Sequence, residues 1–320
     1  MVSAHDEALD AAVAAIRAAD SIVAVGHVRP DGDALGASLA LALAARDVGK
    51  QAHVTYSEPF AMPDQFRFLD ASPHLPVAEV PTPFDLLIAC DTADRERLGT
   101  ADVLTESADR VLVVDHHISN GGFGDVAYID SSASATAEMA YRIIKKLDWK
   151  ITAEVANALY VGVVTDTGRF QYSMTTPAVH EMTAELLAAG VRPEVVGRHV
   201  YEEAPFGFLN VAGAVLGRAQ LDEERGLVWS VLYPEDLTAA GIDLEHAEGL
   251  IDLIRVAQEA GVACLLKVVD GVTKGSLRSR GEVDVAAIAN TFGGGGHHNA
   301  SGFTSSEAPD RVIEMIRQQL

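Results

Sequence analysis

The sequence predicts an α/β fold: an N-terminal domain on a parallel sheet with helices on both faces, then a smaller C-terminal α/β domain. Three observations lead there. Short apolar runs alternate with helical patterns through the first half of the 320 residues. Those runs are continuous rather than alternating in polarity, which marks strands buried on both faces. Beyond about residue 210 the pattern changes to a hairpin signal and closely spaced strands.

In order, residues 6–19 read as an amphipathic helix and 22–25, rich in β-branched residues, as a buried strand. Residues 34–49 read as an Ala/Leu helix ending at Gly49, and 52–56 as a strand. Residues 86–89 and 111–114 are two further apolar runs. Helices are expected near 134–147, 153–165 and 177–189; the last has Thr176 as N-cap, Pro177 at its first position and Gly190 after its end. These elements define a first domain over 1–190. Residues 191–209, with Pro193, Gly197, Pro205 and Gly207, read as a partly helical connector. The second domain, 210–320, has strands at 228–232, 262–269 and 272–279, a turn at 222–226, and helices at 284–291 and 308–319.

Composition narrows the function. At 48% hydrophobic and 22% charged the chain is globular, not disordered. With 24 Lys and Arg against 46 Asp and Glu the net charge is −22, which argues against gripping long nucleic acid by counterion release. Short anionic substrates at a local positive site stay open. Cys90 and Cys264 lie in apolar runs and read as buried reduced thiols, not as a disulfide or zinc site. The first twenty residues lack the basic region of a signal peptide, and the longest mostly apolar stretch, 34–45, is too short to span a bilayer. The expectation is a cytoplasmic protein with no membrane partner.

Chemistry sits where the first-domain strands end. Residues 22–25 are followed by His27, Asp31 and Asp33; 86–89 by Asp91; 111–114 by Asp115, His116 and His117. Ligands of open α/β sheets gather beyond the carboxyl ends of the strands. Asp166, among apolar neighbours at a helix end, adds a further acid. Taken singly, each has a plain alternative: a turn, an N-cap or an incidental His pair. Together, the acids repel one another unless cations join them. Six N and O ligands with one shareable carboxylate meet the needs of a two-metal site, and ligation without thiolate suits Mn2+ or Mg2+.

The order G-H-x-x-P-D-x-D at 26–33, Asp91, D-H-H at 115–117 and T-D-T-G at 165–168 resembles the DHH phosphoesterase superfamily. The run G-G-G-G-H-H-N-A-S-G-F at 293–303 is similar to the glycine-rich signature of the DHHA1 domain. Together they look most like the NrnA-like nanoRNase/pAp phosphatase group. That resemblance implies His27, Asp31 and Asp91 on one cation and Asp33, Asp91, His116 and Asp166 on a second, with Asp91 bridging. It implies that Asp115 fixes the loop, that His117 meets the substrate phosphate, and that the metal is usually manganese. Substrate contacts are expected from Arg278, Ser279, Gly295, Gly296 and His297. The substrates implied are short RNA, pAp, and linear or cyclic dinucleotides, and the assembly a homodimer. Arg169 stands between a phosphate contact and a surface salt bridge, and His298 leaves base preference open.

The rivals are a cyclic dinucleotide phosphodiesterase, a pyrophosphatase, a long-chain exonuclease and a non-catalytic nucleotide-binding regulator. The glycine tetrad in place of a Lys- and Arg-rich clamp disfavours the pyrophosphatase. The chain's modest length disfavours the long-chain exonuclease. A regulator would have lost ligand positions that are all filled here. A dinucleotide-binding oxidoreductase needs G-x-G-x-x-G where residues 26–33 carry His and Asp.

Overall fold

The structure is a computed structural model that describes residues 4–320, the side chains of Ala4 and His297 excepted. The chain divides into two compact units, Met1–Val200 and Tyr201–Leu320, with the division inside the stretch read as a connector.

The first unit is built on five parallel strands: β1 Ser21–Gly26, β2 Gln51–Thr55, β3 Phe84–Cys90, β4 Ala108–Asp115 and β5 Val126–Ile129, in spatial order β2-β1-β3-β4-β5. After β2 the chain returns past β1 to form β3, so the winding reverses between β1 and β3. Such a reversal leaves a crevice at the carboxyl ends of the two strands. The two faces are covered by unlike helices. One carries α2 Gly32–Asp47, with α3 Thr136–Lys146 beside it and α4 Ala153–Asp166 against α2. The other buries Val23, Val25, Leu87, Ala89 and Val113 against Leu98, Ala101 and Leu104 of a 3-10 segment, Arg95–Glu106, kinked at Gly99. α1 Ala4–Ala18 lies along β5, and α5 Pro177–Ala188 and α6 Pro193–Gly197 follow α4. β5 is not expected from the sequence: its short run V-A-Y-I follows Gly121, Gly122 and Gly124 and is of mixed burial.

The second unit holds a six-stranded mixed sheet: β6 Gln220–Asp222, β7 Leu227–Leu232, β8 Val262–Val269, β9 Val272–Ser279, β10 Gly295–His297 and β11 Ala300–Ser305, in order β10-β11-β9-β8-β7-β6. Only β7 and β8 run parallel. One face packs Trp229, Cys264, Leu277 and Phe303 on α10 Val285–Asn290 and α11 Pro309–Arg317. The other packs Val228, Ala263 and Leu265 under α7 Gly207–Gly217 and α9 Leu250–Ile254. A short helix, α8 Pro234–Ala240, packs on α7. α7 begins inside the stretch read as connector, because Gly207, Gly213 and Gly217 mask its helical pattern. Among the described residues no helix is long and apolar enough to cross a membrane, and both cysteines are buried and free.

Candidate metal centre

Five backbone ends deliver the polar cluster. His27 follows β1, and Asp31 caps α2, accepting from the backbone N–H groups of Asp33 (3.0 Å) and Ala34 (3.1 Å). Asp33 lies in the first turn of α2. Asp91 follows β3 in the left-handed region at φ +54°, its N–H donating to the Val114 carbonyl at 3.0 Å. Holding a non-glycine residue there costs on the order of 1–3 kcal/mol, a strain typical of functional sites. Asp115 ends β4 and leads into His116 and His117. Asp166 ends α4, which the small residues of α2 admit closely: a Cβ on Gly36 would lie 2.4 Å from the Ala158 carbonyl oxygen, and one on Gly162 only 2.8 Å from Asp33 Oδ1. Close helix packing therefore sets Asp33 and Asp166 side by side.

All eight predicted first-domain residues meet. His27 Nε2 lies 3.7 Å from Asp31 Oδ2 and 3.5 Å from Asp91 Oδ2. His116 Nε2 lies 3.4 Å from Asp166 Oδ2, 3.6 Å from Asp91 Oδ1 and 3.9 Å from Asp33 Oδ2. Asp91 thus turns one oxygen to each imidazole. Two trios, His27–Asp31–Asp91 and Asp33–His116–Asp166, each keep their ligand atoms within 4.8 Å of one another, as does Asp91–His116–His117. His117 Nδ1 is 2.8 Å from Asp115 Oδ1, a hydrogen bond that fixes its ring.

Asp33 and Asp91 are almost fully buried and Asp166 mostly so. Burial, and then the negative charge of Asp91, hold the carboxyls of Asp33 and Asp166 well above the usual range. Burial acts the same way on Asp91, but the hydrogen bond from His27 and the charges of three imidazoles win and hold it low. Burial opposes charge on His27, yet its hydrogen bonds to Asp31 and Asp91 raise it to about 10. A cation bound among these groups would compete with protons for the same oxygens and nitrogens. Among the described residues, the buried Asp166 Oδ2 has no hydrogen-bond partner. A buried carboxylate oxygen without a donor is a costly arrangement that a cation relieves. Two of the clustered imidazoles have Nδ1 near a carbonyl: Val28 at 2.8 Å for His27 and Ala133 at 3.3 Å for His116. A carbonyl only accepts, so Nδ1 keeps its proton and Nε2 faces the acids, the tautomer a ligand needs. The donor set fits hard divalent cations.

Several contributors carried no recognised signal in the sequence. Thr136, at the start of α3, donates from Oγ1 to Asp91 Oδ1 (3.0 Å) and from its backbone N–H to Asp33 Oδ2 (2.6 Å), while the Ala137 N–H reaches Asp33 Oδ1 (2.8 Å). The N-terminus of α3 thereby satisfies its orphan donors with a ligand carboxylate. Glu138 accepts from the Ser134 N–H and hydroxyl (2.8 Å each), and Arg142 joins Glu138 to Asp130, locking the segment. Asn120 donates to Asp115 Oδ2 at 2.6 Å and to the Thr92 carbonyl at 3.0 Å. The polar run 130–136 ahead of a helix was the available clue.

The second-unit candidates are described by themselves. Arg278 is half-buried on β9, donating to the Leu277 carbonyl at 3.0 Å. Ser279 is buried, and its hydroxyl accepts from Asn299 Nδ2 at 2.9 Å, a hydrogen bond within the loop. Gly295 and Gly296 are exposed on β10. The backbone of His297 belongs to β10, but its side chain lies outside the described residues. His298 Nδ1 stands 3.9 Å from Asp284 Oδ2. Arg169 is exposed and left-handed at φ +63°.

Comparison with known proteins agrees with this geometry. Residues 21–163 match the N-terminal domain of the DHH family and 228–320 the DHHA1 domain. The chain is 35% identical to the bifunctional oligoribonuclease and PAP phosphatase NrnA of Thermus thermophilus, over 92% of this chain and 88% of that one. It belongs to the NrnA-like DHH phosphoesterases. The likeness extends to the NrnA of Bacillus subtilis, 28% identical over 92% of this chain and 93% of that one. Among solved structures, an exopolyphosphatase-related protein from Bacteroides fragilis superposes with a TM-score of 0.89 at 26% identity, covering 98% of this chain and 95% of that one. The DHH signature is therefore the Asp115–His116–His117 run that closes β4. DHHA1 is the domain that carries Arg278 and the glycine tetrad.

Proposed function

We propose that this chain hydrolyses short oligoribonucleotides to mononucleotides and dephosphorylates pAp to AMP, using two divalent cations, manganese foremost. The observation that carries the reading is Asp91, whose two oxygens face the two ligand trios at once. His27, Asp31 and Asp91 would hold one cation, and Asp33, Asp91, His116 and Asp166 the other. When bound, the pair would lower the pKa of a water and neutralise charge growing on the phosphoryl oxygens. The chain's own residues arrange the rest. Asp115 holds His117 through Nδ1, so the other nitrogen of that ring is the one to meet a phosphate oxygen. Burial of Asp33, Asp91 and Asp115 keeps bulk water from screening these charges. The water oxygen bonds to phosphorus, the ester oxygen leaves with the bonding pair, and a proton lost by the water is balanced by one gained by the departing oxygen. Arg278 suits a phosphate, through a forked hydrogen bond, or a base, by stacking.

The names of the relatives support the substrate class, and the modest number of basic groups favours short substrates. Purified protein with Mn2+, assayed against pAp, RNA of two to five nucleotides and a cyclic dinucleotide, tests the reading. Release of AMP from pAp and of mononucleotides from RNA is expected. Turnover of the cyclic dinucleotide alone would replace this reading with a cyclic dinucleotide phosphodiesterase, and turnover of none would end it.

A further inference from the structure

The crevice between β1 and β3 is edged by two arginines that the metal centre does not use. Arg29 stands in the turn after β1, between the ligands His27 and Asp31, and is exposed. Arg97 stands in the 3-10 segment after β3, beyond Asp91, and is half-buried. The two turns are joined. The Val28 N–H donates to the Arg97 carbonyl at 2.8 Å, and a Cβ on Gly99 would lie 2.6 Å from Val28 Cγ1. This contact holds the backbones of both arginines at the strand ends that carry His27 and Asp91.

Neither guanidinium has a carboxylate partner among the described residues, in a chain of net charge −22. Other arginines of this unit show the ordinary case. Arg95 forks onto Asp102 from Nε (2.6 Å) and Nη2 (3.3 Å), and Arg67 pairs with Asp64 at 2.7 Å. Acids of the same two turns are engaged elsewhere: Asp94 accepts from the Arg97 backbone N–H at 3.1 Å, and Asp31 caps α2. Arg29 also keeps its backbone in the left-handed region at φ +53°, which glycine or asparagine adopts at lower cost. Among the described residues no hydrogen bond or ion pair of its side chain offsets that cost. Two free guanidinium groups on one rim suit an oxyanion from outside the chain.

The chemistry of the substrate class says which oxyanion. pAp carries phosphates on both the 3′ and the 5′ oxygen of one nucleoside, and a 5′-phosphorylated dinucleotide contains the same unit. With one phosphate at the metal centre, the other lies across a single nucleoside. A terminal phosphate carries about two negative charges at neutral pH. Asp31, with 60% of its side chain exposed, repels such a group. Arginines beside Asp31 cancel that repulsion. We propose that Arg29 and Arg97 clamp the phosphate that is not cut, so that the chain selects nucleosides phosphorylated at both ends over those with a single phosphate. This rests on the phosphoesterase reading above and deepens it by naming the substrate group that the first unit recognises beside its metal centre.

The test uses the full chain with Mn2+ and two phosphorothioate-linked RNA dinucleotides, labelled at the 3′ end and alike except for a phosphate or a hydroxyl at the 5′ end, read by fluorescence anisotropy. The unaltered chain is expected to bind the phosphorylated one about tenfold more tightly or better. Arg29→Gln and Arg97→Gln should each cut that preference by about fivefold. Each should also lower the slope of log affinity against log salt for the phosphorylated dinucleotide by about 0.7, the signature of one lost single-strand phosphate contact. Arg29→Gly relaxes the left-handed backbone, so it should melt no lower than the unaltered chain and still lose the preference, which separates lost grip from lost structure. Equal affinity of the unaltered chain for the two dinucleotides, or an unchanged preference in Arg29→Gln and Arg97→Gln, overturns the proposal. Hydrolysis of pAp and RNA by the unaltered chain is scored separately: failure there removes the catalytic reading, while the anisotropy still decides the clamp.

Discussion

The strand-end cluster of the first unit and the β9–β11 face of the second are built on opposite principles. In the first, several clustered side chains are held by neighbouring groups: Thr136 on Asp91, the α3 N-terminus on Asp33, Asp115 on His117 and Asn120 on Asp115. In the second, Ser276, Gly302 and Gly295 leave one row of β9, β11 and β10 nearly without side chains, and Lys274 and Arg278 on the same face have no acidic partner among the described residues. A cluster proposed to hold cations among mutually repelling acids would gain from rigid ligands. A face proposed to meet short chains would gain from bareness and flexible charge. The two regions should therefore fail differently when altered.

The largest effect belongs to the cluster. Asp91→Asn keeps the shape of the side chain but removes the charge shared by both trios, and turnover of pAp should fall by about 1000-fold or more with folding kept. Initial rates and a melting curve check this. An active Asp91→Asn protein would break the contrast at its root. Next, Thr136→Val should weaken Mn2+ binding by about 10–100-fold, the usual cost of losing a group that orients a ligand. Calorimetric titration of the metal-free protein reads it directly, and Thr136→Ser should restore affinity because the donor returns. In the second unit, Arg278→Ala should raise KM for short RNA by about tenfold while kcat moves far less, the mark of lost binding rather than lost chemistry. A fall in kcat with constant KM would place Arg278 with the cluster instead.

How much of this was legible in the sequence follows from the kind of interaction involved. His27, Asp91 and the Asp115–His117 run were readable because each stands directly after a continuous apolar strand, and a parallel sheet collects such ends on one edge. Asp166 was readable from an acid among apolar neighbours. Thr136 and Asn120 were not. Their roles depend on where α3 starts and how the loop after His117 folds back, and a Ser- and Thr-rich stretch has the same look when it only caps a helix. The glycine tetrad was visible as a run, but steric contacts alone separate Gly294 and Gly296, which the backbone requires, from Gly295. Gly302 stood outside the run altogether. The second face of the first sheet carries its helical cover in 3-10 form, Arg95–Glu106, kinked at Gly99.

The smallest expected effects compare one motif, a carboxylate held by an arginine, in both units. Asp130 accepts from Arg142 (2.7 Å) and from the Ser132 N–H (3.0 Å) and hydroxyl (2.5 Å), with 4% of its side chain exposed. Burial raises its pKa, but the Ser132 and Arg142 hydrogen bonds outweigh that and hold it below the usual carboxylate range. Asp236 accepts from Arg218 Nη2 (2.8 Å) and from the Tyr233 N–H (2.9 Å) at the start of α8, and the Arg218 hydrogen bond, against some burial, likewise lowers it. A depressed carboxylate adds stability that is fully present above its unfolded pKa, near 3.9, and is lost as pH falls through its lower folded value. Asp130→Asn should therefore destabilise by about 1.5–3 kcal/mol at pH 7. Asp236→Asn, whose partner is a more ordinary surface pair, should cost about 1 kcal/mol. Both differences from the unaltered chain should shrink as pH drops below the unfolded value, read as converging denaturation midpoints. Asp130 also anchors the segment that carries Thr136, so its loss should weaken Mn2+ binding as well. Asp236→Asn should leave Mn2+ affinity alone. If both variants lowered Mn2+ affinity equally, the cluster would be responding to overall stability rather than to the contacts that hold its ligands.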